Sequence, residues 1–375
     1  MKGLIVVTVL LVVLLAGAVV CSRMLGDYRS GLLAAEQREV RARNQEKVDA
    51  YNAEVQEYKQ SLSSNKANKS WPQPTGEGME IIDLTTFPLE MPGQVTVNRT
   101  DVMMGGLLLV NEWHSRPEDF DESGILSVSG YARNVGLDSF WSNSSIKLHA
   151  NAIDALVQAL TAAKAEGYQN FVIEDAYRTW ERQNELFQKQ VDAYRASNPS
   201  YSEEKLIERA KKRINYPGTS EFNSGLSFSL YIWAKDNAEL NNADFYDTPN
   251  GKWFYENSWR HGLVFRFPKD NYPYPDTADK TYKTGMGQKL NCYRYVGKAH
   301  AAVMHHLDLC LEEYIEYLQE HPHIAVFEDG VKKYEITRQQ VGDDLASFSV
   351  QINQVTDNYT MSLDNMGGIV VAYEF

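Results

Sequence analysis

Pro217 to Leu230 reads PGTSEFNSGLSFSL, and this stretch decides the fold. Pro217-Gly218 makes a tight turn, because proline presets its own φ and glycine accepts a left-handed one. Ser220 and Glu221 follow, and a Gly225-Leu226 step leads into a strand, Leu226 to Trp233, in which apolar and small polar side chains alternate. A turn, an acidic residue and a buried strand stand together here, yet the stretch holds no histidine, cysteine or aspartate.

Outward from it, helix and strand signals alternate. Ile146, Ile153, Leu156, Val157, Leu160 and Ala163 recur at helical spacing up to Gly167, and Phe171 to Glu174 reads as a strand. Trp180 to Ala196 and Glu203 to Arg213 read as helices, the second with Ser202 as N-cap and acidic residues in its first turn. Trp253 to Pro268 reads as a helical turn, a glycine break and an apolar strand. Val296 to Leu318 reads as one helix, with Ala299, Val303, Leu307, Tyr314 and Leu318 along a face. Gly105 to Asp119 reads as a short buried strand running into a loop. His323 to Phe375 reads as strands around two hairpin signals, Asp329-Gly330 and Met366-Gly367-Gly368.

With 375 residues, 43% of them apolar and 11% aromatic, the chain can bury a sizeable core. A net charge of −13 argues against a nucleic-acid partner, because phosphates need a basic surface. Residues 3–21 are uncharged and about as long as the ~20 residues of a membrane-crossing helix. The segment 1–22 is therefore expected to anchor the chain, with a cleavable signal peptide as the alternative. Residues 23–62 are expected to form a helical stalk, whose seam of Val48, Tyr51, Val55, Tyr58 and Leu62 would let two copies pair as a homodimer, with a lone solvated helix as the equal alternative. Residues 63–100 read as a linker, 101–320 as the main domain and 321–375 as a small β-rich appendage. Cys292 and Cys310 could form one bridge in an oxidising compartment.

Five segments, in order, resemble the zinc D-Ala-D-Ala carboxypeptidases of the VanY type, peptidase family M15B with the LAS fold. Leu107 to Asp119 resembles LLLVN-x-x-H-x-x-P-x-D, and Asp175 to Gln183, DAYRTWERQ, resembles S-G-Y-R-S-x-x-x-Q. The opening stretch resembles S-E-H-x-x-G-x-x-x-D, and Trp253 to Pro268 resembles W-x-x-x-N-x-x-x-x-G-F-x-x-R-Y-P. Thr284 to Gly297, TGMGQKLNCYRYVG, is similar to T-G-x-x-x-E-P-W-H-F-R-Y-V-G. The resemblance implies an α+β domain with a small antiparallel sheet flanked by helices. It also implies action on peptidoglycan peptides, and a place outside the cytoplasm for the bulk of a single-pass chain in the cell membrane.

It implies zinc as well, but the matching positions depart from the pattern. Phe222 and Ser229 stand where the first two ligands belong, Cys292 where the third belongs, and Lys289 where the general-base glutamate belongs. A hydrolytic zinc needs three side-chain donors and an open position for water. A benzyl ring has no lone pair for a metal, and an ammonium group at neutral pH cannot take a proton from water. No metal and no catalytic residue are therefore expected. His261, His300, His305 and His306 lack the paired spacing of a metal motif, and no oxyanion hole is evident to serve a Ser229–Lys289 or Cys292–His nucleophile.

Arg178 and Gln183 match the residues that help hold the peptide's carboxylate end in the family, with Thr179 beside them at family spacing, and an arginine fork suits that task. With Lys289 they form the expected ligand-binding set. The expected function is a degenerate, non-hydrolytic relative that binds a peptidoglycan stem peptide or a cell-envelope protein. The alternatives are an active D,D-carboxypeptidase with unrecognised metal ligands, and a structural protein working through its stalk.

Overall fold

The computed structural model describes residues 71–375 apart from 133–139, 273, 287–289 and 343–344, together with eight isolated positions between 24 and 53. The expected anchor at 3–21, the stalk seam, residues 63–70 and Lys289 lie outside the described residues. Among the described residues no helix is long and apolar enough to cross a membrane. The chain separates into two compact units, Met1–Val55 and Gln56–Phe375, and every element named below lies in the second.

In chain order come β1 (Met79–Asp83), β2 (Pro92–Asn98), β3 (Ile125–Ser127), β4 (Lys147–His149), α1 (Ala150–Ala165) and β5 (Phe171–Asp175). Then follow α2 (Trp180–Ser197), α3 (Glu203–Lys211), β6 (Ser227–Ile232), α4 (Pro249–Asn257), β7 (Leu263–Phe265) and β8 (Cys292–Tyr295). The chain closes with α5 (Lys298–His306), α6 (Leu311–Glu320), β9 (His323–Glu328), β10 (Val331–Gln340), β11 (Ser347–Asn353), β12 (Tyr359–Leu363) and β13 (Gly368–Glu374).

The central sheet is antiparallel, in the order β5-β6-β8-β7, and it is the small sheet expected from the motifs. Its strands are buried because α1 covers one face: Ile153, Leu156 and Leu160 pack with Phe171, Phe228, Leu230 and Tyr293 in one apolar core. Two glycines of the motifs are required by geometry. Gly225 has φ +70° and a Cβ there would meet Ile125 at 2.2 Å; Gly262 has φ +84° and lies against the Gly297 backbone. They allow the turns that feed β6 and β7.

The C-terminal strands are more than an appendage. A five-stranded sheet runs β1-β9-β10-β13-β12, and β2 pairs with β11 along seven residues. Residues 79–98, expected as linker, thus supply two strands. Their partners lie more than two hundred residues away, and such non-local pairing leaves no trace in a local window. Both hairpin signals are borne out: Asp329-Gly330 joins β9 to β10 with φ of +50° and +75°, and Asn365 and Gly367 take positive φ between β12 and β13. Leu311, Ile315 and Leu318 of α6, with Val303 of α5, pack on Ile324, Val326, Ile336 and Val370 of this sheet.

Two further expectations change. The single helix from Val296 to Leu318 is two helices, separated where Asp308 adopts φ +51°. The second starts afresh because the Cys310 backbone N–H donates to Glu313 at 3.1 Å, with Glu312 and Glu313 acidic in the first turn. Leu107–Val110 is buried as expected but forms no strand. Side chains occupy its backbone instead: Ser362 accepts from the Leu107 N–H at 2.9 Å, and Asn365 donates to the Leu109 carbonyl at 2.7 Å. Cys292 and Cys310 are buried free thiols, so no bridge joins them.

Candidate functional site

β6 and β8 place Ser229 directly opposite Cys292, and Phe222, just ahead of β6, shares a buried apolar cluster with Cys292, Phe267 and Met286. The structure therefore brings together the three positions singled out by the motifs. Phe222 is 3% exposed and Cys292 fully buried. The Arg178 guanidinium lies 4.7 Å from the centre of the Phe222 ring, and that of Arg266 lies 4.9 Å from the Phe267 ring. Ser229 Oγ donates to Glu174 at 3.3 Å, and Asn291 donates to the same carboxylate oxygen at 3.0 Å. One aromatic ring, one hydroxyl and one thiol do not supply the donor set of a hydrolytic zinc. Among the described residues no group of three or more His, Cys, Asp or Glu side chains could hold a metal ion.

Arg178 sits three residues beyond the end of β5. Its backbone is fixed by the opening motif, since its N–H donates to the Phe222 carbonyl at 3.0 Å and its own carbonyl accepts from Asn223 at 2.6 Å. Its fork is occupied within the chain. Nε donates to Asp175 Oδ1 at 3.2 Å, Nη2 to Asp175 Oδ2, and Nη1 to Gln183 Oε1 at 3.0 Å. Gln183 passes its own amide N–H on to the Asn215 carbonyl at 2.7 Å, and Thr179 Oγ1 caps α2 by accepting from the Arg182 N–H. Three of the four residues of the expected binding set are thus held side by side; the fourth, Lys289, lies outside the described residues.

Beside these residues lies a network that the motifs carried without revealing it. Glu221 accepts from Arg294 and, at 2.9 Å, from Arg266; Arg266 forms a two-pronged pair with Glu312 at 2.9 and 2.7 Å. Asn111 donates to Glu312, and Arg294 donates to the carbonyls of Gly106 and Leu108 at 3.0 and 2.7 Å. All four charged side chains are nearly fully buried. Burial acts first and raises the Glu221 pKa, but Arg266 and then Arg294 outweigh it and hold the carboxyl below its ordinary value. The sequence signal was a lone arginine in an apolar run, Phe265-Arg266-Phe267, which is costly to bury unless paired.

His300 is buried with Nδ1 2.7 Å from the Tyr314 hydroxyl, and His305 stacks on Trp259 at 4.8 Å. These two histidines have structural partners.

Residues 145–297 match the family described as VanY: D-alanyl-D-alanine carboxypeptidase. YodJ of Bacillus subtilis (strain 168) is 31% identical over 211 residues, covering 56% of this chain and 67% of that protein. The chain belongs to the VanY family. A D-alanyl-D-alanine carboxypeptidase of Enterococcus faecium is 28% identical over 276 residues, covering 74% of this VanY-family chain and 77% of the relative. Among solved structures, the vancomycin-resistance D,D-dipeptidase VanXYg, in complex with a D-Ala-D-Ala phosphinate analogue, matches with a TM-score of 0.55 at 20% identity. It covers 76% of this chain and 100% of that one, a likeness of fold. The mixed fold with small antiparallel sheets is the one expected from the motifs.

Proposed function

We propose that this chain is a non-hydrolytic VanY-family protein, anchored in the membrane through residues 3–21. On this reading its folded part lies outside the cytoplasm and its cleft binds a peptidoglycan stem peptide or an envelope protein. One observation carries the reading: Phe222 is buried against Cys292 and Phe267, so carbon fills the place where the resemblance puts a metal. Lys289 supports it, since an ammonium group in place of a general base repels a divalent cation and holds no free lone pair at neutral pH. The surviving motif residues support it as well, because Glu221, Arg266 and Arg294 serve the scaffold and ask nothing of a metal.

The test is elemental analysis of the purified chain, together with release of D-alanine from a peptide ending in D-Ala-D-Ala, with and without a chelator. The expected result is no stoichiometric zinc and no release. Stoichiometric zinc with chelator-sensitive release would overturn the proposal. It would establish the second reading, an active D,D-carboxypeptidase, which the name of the Enterococcus faecium relative favours.

A further inference from the structure

Asp175 stands where the family pattern has serine, and its carboxylate takes the Nε and Nη2 edge of Arg178 in a two-pronged ion pair. Both side chains are largely buried, at 18% and 24% exposure, so water screens the pair only in part. The position is built rather than accidental. Asp175 closes β5 after a register shift, and its Oδ1 also accepts from the Ala176 N–H at 3.1 Å. Gln183 takes a third N–H of the same guanidinium.

From this arrangement we infer that Asp175 is a resident carboxylate that sets the specificity of the cleft: it occupies the arginine edge that a peptide's terminal carboxylate would need. A free α-carboxylate arriving there meets a neutralised arginine and a like charge beside it. An incoming anion must displace a fork-matched pair that is already formed, and the contact that would reward binding becomes one that opposes it. The ligand class this selects is a peptide that carries no negative charge at that point, one that is amidated or whose chain continues past the cleft. The inference rests on the proposed reading that the cleft binds peptide.

Calorimetry with Nα-acetyl-L-Lys-D-Ala-D-Ala, as free acid and as C-terminal amide, tests it. The wild-type chain is expected to bind the amide at least as well as the acid. Asp175→Ser frees the arginine edge and should raise acid affinity about tenfold or more while leaving amide affinity within about twofold, the difference expected for a charge-assisted fork contact. Asp175→Asn keeps the shape and an acceptor for Arg178, so it guards against a folding defect, and should move the acid-to-amide ratio the same way. An unchanged ratio in both variants, or a wild-type preference for the acid, would overturn the role of Asp175. The zinc and D-alanine measurements would be unaffected by that result, so failure of the inference and failure of the non-hydrolytic reading are separately visible.

Discussion

Glu221 is the residue on which motif and scaffold meet. It precedes Phe222 in the opening motif, yet its carboxylate points into the interior, where two guanidinium groups share it. Removing one charge from a buried network strands the others, and that costs more than the network's net contribution to stability. Glu221→Gln is therefore expected to lower unfolding stability by about 3–5 kcal/mol, read as a shift in urea midpoint. Positions such as Phe222, Ser229 and Cys292 were legible in the sequence because each departs from a pattern of fixed spacing. The pairing of Asp175 with Arg178 was less so: only two residues lie between them, but nothing local says that carboxylate and guanidinium face each other. Arg266 and Glu312 were illegible as partners, because forty-five residues of chain intervene and only the tertiary fold brings the end of β7 to the start of α6.

Among the elements, α5 and β10 each carry a group sensitive to acid. His300 on α5 is fully buried, and burial lowers its pKa from 6.5 to about 3. It stays neutral in the folded chain while the unfolded chain takes up a proton below about 6.5, so its contribution to stability is complete above that pH and is lost as pH falls. Glu335 on β10 is raised by burial but lowered further by His323 and Lys332, to about 2 from an ordinary 4.5. Its contribution is present above 4.5 and is lost as pH falls towards 2. Stability should thus decline below pH 6.5 with a slope approaching about 1.4 kcal/mol per pH unit for each titrating group, and more steeply below 4.5. Urea midpoints at pH 7, 5.5 and 4 read this out, with His300→Gln flattening the upper part and making the lower part less steep. Element ends show why some boundaries escaped the sequence reading. The periodic apolar face runs on through Leu307 and Cys310, so periodicity alone fuses α5 with α6; the break lies at Asp308, and its sequence signal is the acidic pair Glu312-Glu313, which marks a new first turn.

At the scale of the molecule, the central sheet was legible because four motifs map onto or beside its strands, whereas the second sheet was legible only in its hairpins. β1 and β2 come from the segment expected as linker, and they complete sheets whose other strands lie beyond residue 320. A chain beginning at residue 101 should therefore lose both pairings, expose Ile324, Val326 and Val350, and unfold cooperatively at lower denaturant or aggregate. Circular dichroism and light scattering beside the intact chain check this. The same closure has a mechanical side. Tension entering from the N-terminal side must first part the five residue pairs from Met79–Glu328 to Asp83–Ile324, with the Trp71 ring against Phe87 and His323 as a latch ahead of them. Arg178 lies downstream of that seam in the chain, so a pull from the N-terminal side is borne by hydrogen bonds far in sequence from Arg178 before it reaches that residue.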